Sequence, residues 1–201
     1  MAENGPVRVL CIGGSTRPNS SSEKAVRVSA AAAEAAGAVV DLMVSRELMF
    51  PIYDTETTDR TPEAERFVKA ARAADALIIA SPGYHGAMSG MLKNVLDYLE
   101  DTNKDERVYL DGVPVGCIAV SYGWQATVST LQSIRTTVHA LRGWPSPFGA
   151  TINATEPIFD ADGACIDDRA RFGLETVARQ VVEFAQLRKA GLLPDVSGGS
   201  V

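Results

Sequence analysis

The sequence predicts a single α/β domain over residues 1–201, with a doubly wound, five-stranded parallel sheet and helices on both faces. Segments that resemble strands and helices alternate along the chain, and neither a repeat nor a linker interrupts them. The strand-like segments are short, continuous apolar runs, which are typical of parallel strands covered on both faces. Apolar residues make up 46% of the chain, so a substantial core can form. In a sheet of this type, ligands bind beyond the carboxyl ends of the strands.

The first half of the chain opens with an apolar run at residues 7–12, a polar turn and an alanine-rich helix over 25–36. A second strand is predicted at 39–44, and the polar stretch after it is expected to be irregular. Residues 61–63, Thr-Pro-Glu, predict a helix start with threonine as cap and an acid beside the helix dipole. The next strand is predicted at 76–80 and belongs in the centre of the sheet.

The second half of the chain continues the alternation. It contains a glycine-rich loop, a helix, a strand, a long helix, a short strand and a last amphipathic helix, over residues 81–90, 92–99, 113–121, 125–141, 148–152 and 174–188 respectively. Pro145 and Pro147 place the short strand at an edge of the sheet, because proline lacks the N–H that an inner strand needs. We expect a disordered tail at about 195–201.

Residues 13–24, GGSTRPNSSSEK, lie between the first predicted strand and the first helix. A helix N-terminus presents unpaired N–H groups and a partial positive charge, so this place in the fold suits a phosphate. The stretch also carries side chains that can bind phosphate oxygens: Ser15, Arg17, Ser20, Ser21 and Ser22. It lacks the glycine spacing of a dinucleotide fold and the Gly-Lys-Ser/Thr ending of a nucleotide-hydrolase loop. The motif therefore predicts a mononucleotide phosphate site. The alternative is that Ser20 and Glu23 form a capping box that only starts the helix.

Two further loops follow predicted strands and would lie at the same edge of the sheet. Residues 81–86, Ser-Pro-Gly-Tyr-His-Gly, combine backbone freedom with an aromatic and an imidazole side chain. Such a loop can bind a flat conjugated ring; the alternative is a simple turn with Tyr84 in the core and His85 exposed. The third loop, Ser121–Gln125, follows the fourth strand.

Charge and cysteine content narrow the class of protein. The net charge of −6 argues against nucleic acid or an anionic membrane as the main partner. No apolar run approaches the roughly 20 residues that span a bilayer, and the N-terminus has no signal-peptide pattern. Cys11, Cys117 and Cys165 are widely spaced, and with only two histidines no metal-site spacing exists. We therefore expect a soluble cytoplasmic protein without a metal.

Two of these motifs resemble those of the NADPH-dependent FMN reductase family, whose members have a flavodoxin-like fold. Residues 14–22 match its phosphate loop, Gly-Ser-x-Arg-x-x-Ser-x-Asn, except that Ser22 stands where asparagine is usual. Residues 81–97 match its loop and helix beside the flavin ring, with Gly83 for a frequent glutamate and His85 for a frequent asparagine. The third loop fits only weakly, because the usual Gly-Gly pair is missing.

The resemblance implies an FMN-dependent NAD(P)H oxidoreductase that takes hydride from NADPH or NADH and passes it to a free flavin, quinone, azo compound or metal ion. The implied phosphate ligands are Ser15, Arg17, Ser20, Ser21 and Ser22. The implied ring contacts are Pro82, Gly83, Tyr84, His85 and Gly86, with Ser121 and Gly123 closing the far side. No catalytic side chain is required, because the flavin carries the chemistry; His85 is a candidate modulator. The family also implies a homodimer or homotetramer. Met88, Met91 and Trp124 are interface candidates, with core packing as the alternative for each.

Two other functions remain open on the residues. One is a flavodoxin-like electron carrier that binds FMN without nicotinamide turnover. The other is a flavin-free interaction protein on the same fold. The colour of the purified protein, and its bleaching by NADPH, distinguish the three.

Overall fold

A seven-stranded sheet organises residues 5–193, the part of the chain that the computed structural model describes. The disordered tail predicted at about 195–201 lies outside the described residues. The strands are β1 (Arg8–Gly13), β2 (Val39–Val44), β3 (Ala76–Tyr84), β4 (Ala87–Met88), β5 (Pro114–Ser121), β6 (Trp144–Pro145) and β7 (Ala150–Asn153). They follow the order β2-β1-β3-β5-β6, and β7 also pairs with β5. All pairs are parallel except β3–β4, so the doubly wound α/β fold is confirmed.

The count of seven strands, where the sequence predicts five, has two local causes. The predicted edge strand at 148–152 corresponds to β7, which pairs with the end of β5, and an additional short strand before it, β6, pairs with the start of β5. Between them the chain leaves the sheet, and Arg135 donates to the Ser146 carbonyl at 2.7 Å. The other extra strand is β4, which forms a hairpin with the end of β3.

Five α-helices cover the sheet. They are α1 (Ser21–Ala35), α2 (Pro62–Ala73), α3 (Gly90–Asp97), α4 (Trp124–Ala140) and α5 (Asp168–Lys189), with short 3-10 helices at Ser45–Leu48 and Tyr98–Thr102. Buried residues of α1 and α5 share one core cluster, whereas those of α2, α3 and α4 share the other, so both faces of the sheet are covered. Helix α5 begins before the predicted Leu174, because Asp167 caps it by accepting from the Ala170 N–H at 2.7 Å.

Ser89 connects the loops at the carboxyl ends of β1 and β3. Its N–H donates to Ser81 Oγ at 2.9 Å, and its hydroxyl donates to the Gly14 carbonyl at 3.2 Å. The same hydroxyl caps α3 by accepting from the Leu92 N–H. A Cβ at Gly14 would lie 2.8 Å from Leu92 Cβ, so only glycine allows this close approach. These contacts fix the two loops relative to each other.

Beyond the 3-10 helix at Ser45–Leu48, which the sequence did not predict, the segment between β2 and α2 is irregular, yet it is held at several points. Asn94 accepts from the Tyr53 N–H at 2.8 Å and donates to the Pro51 carbonyl at 2.8 Å. The guanidinium of Arg60 donates to both carboxylate oxygens of Asp101, at 2.8 and 2.9 Å. The same guanidinium lies over the ring of Tyr53, 4.8 Å from its centroid.

Candidate functional site

A cleft of about 240 Å³ lies at the carboxyl end of the sheet, where the loops after β1, β3 and β5 meet. Most of the ligand-binding residues expected from the sequence line it: Ser15, Arg17, Ser20, Ser21, Ser22, Pro82, Gly83, Tyr84 and Ser121. Thr16, Val120, Tyr122 and Ala154 complete the lining. A larger cavity of about 400 Å³ lies beside β7, between the starts of α4 and α5, and none of the predicted ligand-binding residues lines it.

The first turn of α1 forms one end of the cleft. Ser20 is the N-cap, and its hydroxyl accepts from the Glu23 N–H at 3.2 Å. Because the helix starts at Ser21 and not at the predicted residue 25, the Ser21 and Ser22 N–H groups have no carbonyl partner within the helix. The Ser15 hydroxyl accepts from the Arg17 N–H at 3.2 Å and folds the turn. The serines thus shape the loop, and the free backbone N–H groups can bind an anion.

Arg17 lies at the mouth of this turn. Its side chain is exposed and, among residues 5–193, makes neither a hydrogen bond nor an ion pair. A guanidinium can bind two oxygens of one phosphate. Arg17 can therefore supply the positive charge that a phosphate at the start of α1 requires.

Glu23 stabilises the turn through hydrogen bonds to its carboxylate. Its carboxylate accepts from the Asn19 N–H at 2.9 Å, from the Ser45 hydroxyl and from the Arg27 guanidinium at 2.7 Å. Burial favours the neutral acid, but these hydrogen bonds outweigh it and lower the pKa of Glu23. The contact to Asn19 holds that residue in the left-handed region, at φ +56°. Helix capping and a phosphate loop are thus compatible, since the carboxylate is paired and does not line the cleft.

The opposite wall of the cleft is a β-hairpin, where the sequence predicts a loop. Strand β3 continues to Tyr84, and a turn at His85 and Gly86 leads into β4. Both turn residues have positive φ, +51° and +85°, as a tight type I′ hairpin requires. The turn places His85 and Gly86 at the exposed tip, so neither lines the cleft, and Gly123 does not line it either.

Two aromatic side chains stand beside the cleft. Tyr84 is 53% exposed and Tyr122 is 75% exposed, although large aromatic residues are usually buried. Tyr122 was not among the predicted ligands, yet an aromatic residue in a loop after a strand was a visible signal. Ala154 was also missed; its N–H donates to the Ser121 carbonyl at 2.8 Å, which places it at the same edge.

Gly83 lies against two buried hydroxyls. A Cβ built at Gly83 would lie 2.0 Å from Ser121 Oγ and 2.2 Å from Thr130 Oγ1. Both oxygens are buried, and neither has a hydrogen-bond partner among the described residues. Nothing in the sequence indicated Thr130, which belongs to α4, 47 positions beyond Gly83.

The three cysteines lie outside the cleft. Cys11 and Cys117 belong to β1 and β5, and burial raises the pKa of both thiols, that of Cys117 to about 12. Burial also raises the pKa of Cys165. No cysteine lines the cleft. In the part of the chain that is described, no cluster of three or more histidine, cysteine or acidic residues could hold a metal ion. None of the helices described here has the length and apolar character needed to cross a membrane.

The family of the chain follows from comparison with known proteins. Residues 7–155 match the model of the NADPH-dependent FMN reductase family. The chain belongs to this family. It is an FMN-dependent NAD(P)H oxidoreductase that uses FMN with a nicotinamide cofactor as reductant.

Individual relatives agree with this assignment. An NAD(P)H-dependent FMN reductase of Pseudomonas aeruginosa is 34% identical over 172 residues, which cover 82% of this chain and 88% of the relative. An FMN-dependent NADPH-azoreductase of Staphylococcus aureus is 34% identical over 116 residues, covering 57% and 58%. Among solved structures, the flavoenzyme NAD(P)H:(acceptor) oxidoreductase FerB of Paracoccus denitrificans superposes with a TM-score of 0.73 at 18% identity, over 90% of this chain and 98% of that one. This superposition confirms the flavodoxin-like fold.

Proposed function

We propose that the cleft between α1 and the β3–β4 hairpin is the FMN site of this reductase, and that the bound flavin passes electrons to a small acceptor. The observation that carries the proposal is that three features lie together in one cleft. These are the N–H groups at the start of α1, the exposed guanidinium of Arg17 and the exposed rings of Tyr84 and Tyr122. The first two suit a phosphate, and the rings suit a flat conjugated system.

Each end of the cleft has its own task in this proposal. Arg17 and the N–H groups of Ser21 and Ser22 bind the phosphate, while Ser15 and Ser20 keep the turn in shape. Tyr84 and Tyr122 flank the ring. When bound, FMN supplies the hydride transfer itself, so the chain needs no general acid or base. Its residues bind the cofactor, orient it and set its electrostatic environment.

The cleft is open to solvent beside Tyr122, so an acceptor can reach a ring held there. We propose a free flavin, a quinone, an azo compound or a metal ion as acceptor; the azoreductase name of the Staphylococcus aureus relative favours an azo compound. His85, at the hairpin tip, would modulate transfer to that acceptor.

The proposal includes the state of the protein in the cell. We propose a single flavodoxin-like domain, because the described helices all cover one sheet, and a cytoplasmic homodimer or homotetramer. Of the interface candidates, Met88 is 7% exposed and belongs to the core, and Met91 packs against that core. Trp124 is 62% exposed and remains available for an interface.

An anaerobic titration tests the function. The purified protein, loaded with FMN, should be yellow and should bleach on addition of NADPH or NADH; the acceptor that restores the colour fastest identifies the substrate class. A yellow protein that neither nicotinamide bleaches would be an electron carrier. A protein that is colourless after incubation with FMN and removal of the unbound flavin would contradict the proposed site.

A further inference from the structure

The contact beneath Gly83 is unusually close. The two atoms nearest to a Cβ at this position are Ser121 Oγ at 2.0 Å and Thr130 Oγ1 at 2.2 Å, and the next is Ser121 Cβ at 3.2 Å. Real Cβ atoms do not approach other atoms at such distances, so no side chain can be added at residue 83 while both hydroxyls stay in place. Gly83 has ordinary backbone angles, since it is absent from the positive-φ glycines. The need for glycine here is therefore one of space and not of conformation.

Thr130 differs from its neighbours on α4. The hydroxyl of Thr127 donates to the Trp124 carbonyl at 2.7 Å, and that of Thr137 donates to the Ser133 carbonyl at 3.1 Å. Threonine in a helix commonly bonds to a carbonyl of the preceding turn in this way. The Thr130 hydroxyl has no partner among the described residues and instead lies against Gly83. Since unpaired buried hydroxyls are costly, this placement calls for an explanation other than stability.

We propose that Gly83, Ser121 and Thr130 form one positioning unit of the flavin cleft. The bare backbone of Gly83 rests on the two hydroxyls, which fill the volume that a side chain at this position would take. Gly83 and Ser121 follow the paired residues Pro82 and Val120 at the ends of the neighbouring strands β3 and β5, and both line the cleft. Because Thr130 belongs to α4, the contact fixes how these two strand ends lie against α4 where the ring is held. The three residues are thus interdependent.

The inference rests on the proposed FMN site, and its test separates the two. Gly83→Ala places a methyl group on the hydroxyls and should weaken FMN binding about 10-fold, because the end of β3 is displaced from Ser121 and α4. Ser121→Ala and Thr130→Ala, added to Gly83→Ala, remove both oxygens and should restore the affinity to within about threefold. Affinity is measured by fluorescence titration of the apoprotein with FMN.

Two control variants match these changes. Gly90→Ala is the same substitution next to the hairpin, where a Cβ would meet no atom within 4 Å, and it should bind FMN normally. Thr137→Ala removes a satisfied hydroxyl from the same helix and should also leave FMN affinity unchanged. The Ser121→Ala/Thr130→Ala variant, saturated with FMN, should show a shifted flavin absorption spectrum that Thr137→Ala does not show. The shift is expected because residues that position the ring also determine its surroundings, whereas a purely structural residue does not.

The melting temperature of the apoproteins gives a readout independent of FMN. Gly83→Ala should melt below Gly90→Ala, and the triple variant should recover. The unit is refuted if Gly83→Ala binds FMN and melts like wild type, or if the triple variant stays as impaired as Gly83→Ala. Failure of the wild-type protein to bind FMN would instead refute the proposed site, while the melting series would still decide whether the three residues act together.

Discussion

At the α1 end of the cleft, Glu23 pairs with several polar groups of the turn, whereas at the hairpin end two buried hydroxyls have no partner among the described residues. Glu23 accepts three sets of hydrogen bonds and fixes the turn that presents Arg17 and the free N–H groups. Gly83, by contrast, is held by close contact with Ser121 and Thr130. Hydrogen bonds to the Glu23 carboxylate fix the first end, and close packing fixes the second.

This difference indicates how each end responds to substitution. Charge-assisted hydrogen bonds at the first end are directional, so removal of one acceptor disturbs several donors together. At the second end, exposed rings and a bare backbone offer contact area, so single changes should have smaller and more local effects. The following substitutions test this contrast.

The largest effect is expected from Glu23→Ala. The substitution leaves the Asn19 N–H and the Ser45 hydroxyl without their acceptor, so it should lower the free energy of unfolding by about 2–4 kcal/mol. Chemical denaturation measures this change. Glu34→Ala, an exposed residue of the same helix, is the matched control and should cost less than about 0.5 kcal/mol. Equal effects of the two substitutions would show that the hydrogen bonds of Glu23 do not stabilise the turn.

The same hydrogen bonds of Glu23 predict that the stability of the protein depends on pH. The pKa of Glu23 is lower in the folded protein than in the unfolded chain, so its stabilising effect is fully present above the unfolded-state pKa. It is lost as the pH falls through the lower, folded-state pKa. Denaturation midpoints should therefore fall more steeply for wild type than for Glu23→Gln below about pH 4.

Arg17→Ala tests the phosphate end directly. Loss of a charge-assisted bond worth about 1.5–3 kcal/mol should weaken FMN binding roughly 10- to 100-fold. The side chain is exposed, so the melting temperature should not change. Arg179→Ala, on the outer face of α5, controls for the loss of one positive charge and should bind FMN normally. Unchanged FMN affinity in Arg17→Ala would contradict the phosphate assignment.

Tyr122→Ser tests the ring end. An aromatic contact worth about 0.5–1.5 kcal/mol should be lost, which corresponds to FMN binding weaker by about 3- to 10-fold. Phe172→Ser removes an exposed aromatic residue outside the cleft and serves as the control. If Tyr122→Ser weakened FMN binding more than Arg17→Ala does, the contrast between the two ends would be reversed.

His85→Asn should have little effect on FMN binding, because the hairpin tip does not line the cleft. Asparagine tolerates the left-handed conformation that His85 adopts, so the turn should persist. An imidazole changes charge near neutral pH, and asparagine does not. If His85 modulates electron transfer, the pH dependence of flavin reduction, followed by anaerobic stopped flow, should flatten in this variant. The other histidine, His139, provides the control, and identical profiles for wild type and His85→Asn would exclude the modulator role.

The smallest effect on turnover is expected from the cysteines. Burial raises the pKa of Cys11, Cys117 and Cys165, so none is a thiolate at neutral pH. Alanine at each position should leave turnover per bound flavin within a few-fold of wild type, at some cost in stability. A large loss of turnover with full flavin occupancy would contradict a purely flavin-based reaction.

The fold could be predicted where the signal is local and continuous. Apolar runs gave the strands at the core of the sheet, and Thr61 gave the start of α2, whose Ala64 N–H it caps. Where the signal is mixed, the boundaries were wrong. Serines 20–22 read as a turn although Ser20 caps α1, and Ser81-Pro82-Gly83 interrupts an apolar run that nevertheless continues as strand.

The candidate site was predicted in the same uneven way. The candidate residues within residues 13–24 and 81–86 could be named from the sequence, because each motif is one short stretch of chain. Thr130 could not be predicted, since its relation to Gly83 exists only once α4 packs against the end of β3. His85 was expected along the ring because it is adjacent to Tyr84, and the hairpin turn that directs it to the tip depends on pairing with β4.

The segment between β2 and α2 has a consequence for digestion by proteases. It has the polar, proline-containing sequence of a cleavable surface loop, and Arg60 is a trypsin site within it. The guanidinium that trypsin must bind is engaged by both oxygens of Asp101 and covered by Tyr53, while Asn94 holds the backbone before it. Cleavage after Arg60 thus requires this segment to detach first. Its rate would report on how firmly the segment is attached to α3 and the 3-10 turn that follows it, the same helix whose cap joins the loops after β1 and β3.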